Sequence, residues 1–142
     1  MAGETTAVSA NAARTFYDQT GAGAFLAVFS LTFGTTDNET NDIMQAGYIP
    51  PNVRVVAVGW HPTDMDTNVS PAVVHKVTVN SVDVVTGLTG AQTGTASWTP
   101  ATATAIATTP GTSAQLVQVQ STTAAATAAA GTATLVLLCQ HI

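Results

Sequence analysis

The sequence predicts an all-β fold: an antiparallel β-sandwich, jelly-roll-like, with an extended N-terminal arm. Three observations predict it. Short segments alternate apolar and polar side chains with a period of two, no segment of useful length carries the 3.6-residue period of a helix, and Gly/Pro/Thr turns separate the segments. The 142 residues are enough for one ordinary domain with a real core. With no linker and no strict repeat, residues 1–23 read as the arm and 24–142 as a single sandwich domain.

Taken in order, residues 1–23 are small and polar and could form no strand face of their own. They nevertheless hold the adjacent aromatics Phe16 and Tyr17 in "RTFYD", which favours an arm that docks onto something. "AFLAVFSLTF" places Phe25, Ala27, Phe29, Leu31 and Phe33 on one face, with Ser30 and Thr32 opposite. "TTDNETND" is an acidic loop. Pro50 and Pro51 cannot donate to a ladder, so they precede the strand "VRVVAVGW". There Val53, Val55 and Ala57 point one way and Arg54, Val56, Val58 and Trp60 the other, which predicts a central strand covered on both faces.

"VVHKVTVN" alternates again, with Val73, Val77 and Val79 inward, and "SVDVVTGL" follows it. Residues 94–111, with two prolines and mostly small side chains, suit a surface excursion or weak edge strands. "QLVQVQST" and "TATLVLLCQH" are the last strands, the latter with Ala133, Leu135, Leu137 and Cys139 on one face. "TAAATAAAG" between them reads as the loop of a closing hairpin, because interspersed threonines and short length oppose a helix.

Composition limits function. Charged residues are 8% of the chain, where about 25% is usual. Hydrophobic residues at 46% speak for a folded protein rather than a disordered one. The cations are Arg14, Arg54 and Lys76, and the net charge is -5, so no phosphate-binding cluster exists and nucleic acid is not an expected partner. A surface this poor in charge makes sense if copies of the chain or another protein cover it. "MAGETTAVSA" lacks the basic start and apolar core of a signal peptide. The uncharged stretch 122–139 is dominated by Ala and Thr, broken by Gly131 and flanked by no Lys or Arg, so no membrane partner is expected.

Candidate chemistry is sparse. Asp64, Asp66 and Asn68 have the D-x-D-x-N spacing that opens a calcium loop. Val69 stands where that motif needs glycine and His75 where it needs glutamate, so these side chains read as caps on turn amides. Asp37, Glu39 and Asp42 read the same way. His61, His75 and His141 have no partner at zinc-ligand spacing. Cys139, the single cysteine, sits in an apolar strand as a structural thiol. No G-x-S-x-G elbow and no glycine loop before a helix occurs, and Ser97 lacks any such context. No catalytic, cofactor or metal residues are therefore expected.

"AGYIPPNVRVVAVGWHPTDMDT", "VTVNSVDVVTGLTGAQ" and "LVQVQSTTAAATAAAGTATLVLLCQHI" together resemble a group of small virion proteins of tailed bacteriophages. In that group a G-x-(L/I)-P-x-x-x-x-V strand entry, a D-x-(D/N) loop, a V-T-V strand and a Thr/Ala-rich final hairpin recur. Many members are head decoration, or cement, proteins. The resemblance covers about residues 44–142 and leaves the arm uncovered. Here Asn80-Ser81-Val82 replaces the group's usual acidic-Gly turn.

The resemblance implies a homotrimer at three-fold and quasi-three-fold positions of an icosahedral head, clamping neighbouring major capsid proteins. It also implies a place on the outer surface of the virion, after assembly in the host cytoplasm. The charge-poor surface and the lack of an active site agree with a structural role. The partner-binding candidates are Arg14, Phe16, Tyr17 and Trp98, residue types enriched at interface hot spots. Two other readings are a head-fibre base or tail protein, and a carbohydrate-binding sandwich in which Trp60, Trp98 and Tyr48 stack on sugars.

Overall fold

The computed structural model describes residues 3, 5–7, 13–16 and 23–142. In chain order the strands are β1 (Thr5–Ala7), β2 (Ala13–Phe16), β3 (Ala24–Phe33), β4 (Ile43–Ile49), β5 (Val53–Pro62), β6 (Val74–Val79), β7 (Val82–Leu88) and β8 (Ser97–Pro100). A short helix α1 (Ala103–Ala107) and the strands β9 (Gln115–Thr123) and β10 (Gly131–His141) complete the chain.

One sheet runs β1-β4-β9-β6-β7 and the other β2-β3-β10-β5-β8. From β3 to β10 only β6 and β7 are consecutive neighbours within one sheet, and every other link crosses between the two. That is the jelly roll, so the expected sandwich is the observed fold. The β6–β7 turn needs φ above zero at both central residues, and Asn80 and Ser81 supply φ 48° and 65°.

The core forms where inward faces interdigitate. β3 buries Phe25, Ala27, Phe29, Leu31 and Phe33, as its alternation predicts. β10 lies beside it with Leu135 opposite Phe29 and Cys139 opposite Phe25. Each fully buried large apolar side chain contributes about 1.5–3 kcal/mol, and this pair of strands alone holds several. Burial pushes the Cys139 thiol up to about 12, so it stays protonated and inert, while its backbone bond at Ala27 opposes the shift.

Besides the two short strands within residues 1–23, four features depart from the sequence reading. β4 escapes a period-two reading, because a bulge between Gln45 and Gly47 shifts its inward phase from Met44 and Ala46 to Ile49. In β5 a second bulge leaves Val56 without a partner on β10. The phase flips there, so Val58 and Trp60 join Val53 and Val55 in the core instead of opposing them. The segment 124–130 does not close a hairpin; it crosses from the first sheet to the second. Residues 103–107 form one helical turn where none was expected, started by Thr102, whose Oγ1 accepts the Ala105 N–H at 3.1 Å.

Short strands and backbone bonds tie the sides of the sandwich. At one side the Val56 carbonyl accepts Ala101 N–H and the Val84 carbonyl accepts Thr102 N–H, both at 2.8 Å, which ties β5 to β7. At the other side β1 pairs parallel with β4 and β2 antiparallel with β3. The sequence reading gave no strand to residues 1–23, and these two short strands, with residues 3 and 23, are the described part of that arm. Among the described residues no helix is long and apolar enough to cross a membrane.

Candidate functional site

The D-x-D-x-N segment lies in the β5–β6 loop, where its side chains cap backbone amides. Asp64 Oδ1 accepts from Asp66 N–H at 3.0 Å, and Asn68 Oδ1 accepts from Ser70 N–H at 2.8 Å. Asp66 is buried and does more. Its Oδ2 accepts from Ala72 at 2.7 Å, Val73 at 3.1 Å and Ala126 at 2.9 Å, and its Oδ1 from Thr127 at 2.9 Å and Asn68 at 3.3 Å. One carboxylate thus staples the β5–β6 loop to the β9–β10 crossing. Burial alone would raise its pKa; the backbone donors outweigh that and hold it well below the usual carboxylate range.

Below this loop lies a second polar cluster. His75 is fully buried on β6, and its Nε2 meets Asn38 Oδ1 at 2.7 Å. Ser121 Oγ donates to the same oxygen at 3.1 Å. The imidazole packs on Trp60, with ring centroids 5.3 Å apart, and on Phe33 at 5.8 Å. Burial pulls its pKa down to about 4, so it is neutral near pH 7. It is sealed in the core and offers no base to a substrate. His141 packs against Phe25, and His61 is exposed on β5, so the three histidines occupy separate environments. Among the described residues no three His, Cys, Asp or Glu side chains form a group able to hold a metal ion.

Three of the four partner-binding candidates, Arg14, Phe16 and Trp98, fall on one sheet. β2 places Arg14 opposite Val28 and Phe16 opposite Leu26 on β3. Leu26 and Val28 lie opposite Leu138 and Val136 of β10, which face Ala57 and Gly59 of β5, which in turn face Pro100 and Trp98 of β8. Two rows therefore run across the sheet, from Phe16 to Pro100 and from Arg14 to Trp98. Tyr17 lies outside the described residues.

Trp98 is 53% exposed and covers Gly59: a Cβ on that glycine would stand 2.6 Å from the indole Cε3. Any side chain at 59 would lift the ring, so the glycine seats it. Leu26 is 43% exposed, with Val28, Val136 and Leu138 half-buried between it and Gly59.

Sequence reasoning missed these aliphatic positions. The signal was there, since β10 reads "TLVLLC" with apolar residues in both phases, yet only register shows that the outward ones meet. The carbohydrate reading loses Trp60, which is 0% exposed in the core. Tyr48 is exposed on β4 of the other sheet and shares no platform with Trp98.

The opposite outer face is mixed, with exposed Tyr48 opposite half-buried Leu116 at one end and polar side chains over the rest. Gln45 lies opposite Gln118, Gln120 opposite Lys76, and Lys76 pairs with Asp83 at 2.9 Å. At the end away from Asp66 a cavity of about 50 Å³ is lined by residues including Val53, Val84, Ala105 and Gln115. The Gln115 amide donates to the carbonyls of Pro50 and Val53 there, at 2.9 and 2.8 Å. That amide is a strut for the β4–β5 turn.

No family model and no curated protein matches the chain. Solved structures do. A chain in the capsid of Ralstonia phage GP4 superposes with a TM-score of 0.78 at 19% identity, over 91% of this chain and 91% of that one. A chain in the capsid asymmetric unit of cyanophage Pam1 gives 0.73 at 23% identity, over 95% of this chain and 98% of that one. The fold is common to all three.

Proposed function

We propose that this chain is a structural virion protein that decorates and stabilises an icosahedral phage capsid, clamping neighbouring major capsid proteins from outside. The observation that carries the reading is the likeness, over 91% and 95% of the chain, to chains of two phage capsids. The sequence resemblance to small phage virion proteins points the same way. A homotrimer at three-fold and quasi-three-fold positions is part of the proposal, since cyclic symmetry lets copies cover one another's surfaces. Another virion component, such as a head-fibre base or tail protein, is the second reading, favoured by the same likeness.

In this proposal the arm is the tether. Arg14 and Phe16, held at register positions of β2 beside β3, and Tyr17, next along the chain, would add contact area on a neighbour. Deletion of residues 1–20 is expected to leave the sandwich folded by circular dichroism and to weaken binding to capsids. Phe16→Ala with Tyr17→Ala should reproduce most of the loss, about 2–4 kcal/mol if both rings are buried on binding. A truncated chain that binds as tightly as the full one would remove the tether from the proposal. One that fails to fold would place the arm in the domain itself.

A further inference from the structure

We infer that the outer face of the β2-β3-β10-β5-β8 sheet is where copies of this chain pack on one another. The inference rests on the self-association in the reading above and adds which surface performs it. Leu26 and Leu138 with Ala57 and Pro100 form one apolar row across the face, and Val28 and Val136 with Gly59 and Trp98 form the next. Residues at adjacent register positions stand about 5 Å apart, so the rows make one continuous patch.

The distribution of charge selects the occupant. Of the described carboxylates, Asp37, Glu39, Asp42, Asp64 and Asp66 lie in the loops at one end of the sandwich, and Asp83 lies on the other sheet paired with Lys76. None lies on this face. Two identical chains of net charge -5 meet with least repulsion where neither presents a carboxylate. A cationic partner would instead favour the acidic end. The face also forgoes little hydration, since its central side chains are aliphatic or indole, whereas the opposite sheet would bury Gln45, Gln118, Gln120 and an ion pair. Size bears on this as well. β3, β10 and β5, about 4.8 Å apart and about 33 Å long, with the four-residue β8 beside them give a face of roughly 540 Å². A standard interface takes about 800 Å² from each partner, a difference that the edge strand β2 narrows.

The test uses the full chain and two independent readouts. Light scattering across a concentration series should show an oligomer for the natural sequence. Leu26→Asp, confirmed folded by circular dichroism, should weaken its association by at least about 100-fold. Gln118→Asp, on the other sheet, should change it less than about threefold. Leu26→Ser, a gentler change, serves if the aspartate variant does not fold.

The second readout needs no variant. Trp60 is buried in the protomer, so acrylamide quenching of the fluorescence reports Trp98. Quenching should rise as the oligomer is diluted into protomers. A chain that stays monomeric at high concentration overturns the inference, as does a folded Leu26 variant that associates normally. So does an oligomer whose Trp98 is quenched as readily as in the monomer. An oligomer formed through this face by a chain that binds no capsid supports the inference and removes the capsid reading instead.

Discussion

Asp66→Ala is expected to destabilise the fold by about 3–5 kcal/mol, measured by urea denaturation at pH 7. The alanine leaves the N–H groups of Ala72, Val73, Ala126 and Thr127 without their acceptor. The Val73 donor is buried, and orphaning it costs about 1–3 kcal/mol; the other three are part-buried, so water recovers part of their loss. Asp64→Ala is the control: it loses a local turn bond to the Asp66 amide, worth about 1 kcal/mol.

The same carboxylate makes a pH signature. Its folded pKa is depressed, so the stability it contributes is fully present above its ordinary value of about 3.9 and is lost as pH falls below that. An Asp66→Ala chain within about 1 kcal/mol of the natural one would mean that the staple does not hold these loops.

Lowering the pH from 7 to 4 is expected to cost about 3 kcal/mol through His75 alone, before the Asp66 window opens. Burial depresses the folded pKa from an ordinary 6.5 to about 4. The unfolded chain therefore binds a proton at His75 that the folded chain refuses. Its contribution is complete above pH 6.5 and declines as pH falls towards 4. A proton on Nδ1 would sit in the core, where that nitrogen has no hydrogen-bond partner, beside Trp60 and Phe33. His75→Gln keeps an amide N–H for Asn38 Oδ1 and cannot titrate. Its stability should fall less steeply between pH 6.5 and 4, whatever its value at pH 7. An unchanged slope would assign the acid sensitivity to other groups.

How legible each element was in the sequence follows from its physics. β3 and β10 keep a single phase from end to end, so alternation alone gave their inward faces. β4 and β5 change phase at bulges, and a period-two reading carried past a bulge puts Trp60 on the wrong side. The helix α1 is too short to show a period. For Asp66 the local half was readable, because D-x-D-x-N predicts turn caps two residues on. The bonds to Ala126 and Thr127, some sixty residues away, depend on the crossing from β9 to β10. The apolar rows were the least legible. Leu26 and Leu138 are neighbours only through the β3–β10 register, and a string of residues does not display that register.

The most direct measurement is a cryo-electron microscopy reconstruction of particles of the phage to which the proposed function assigns this chain. It should show the jelly roll on the outer surface of the capsid at three-fold and quasi-three-fold positions. Residues 1–23 should contact neighbouring major capsid proteins while β1 and β2 stay paired with β4 and β3, and the Leu26–Trp98 face should be turned towards sister copies. Purified mature particles that lack the chain, or that carry it on the tail or inside the shell, would contradict the account.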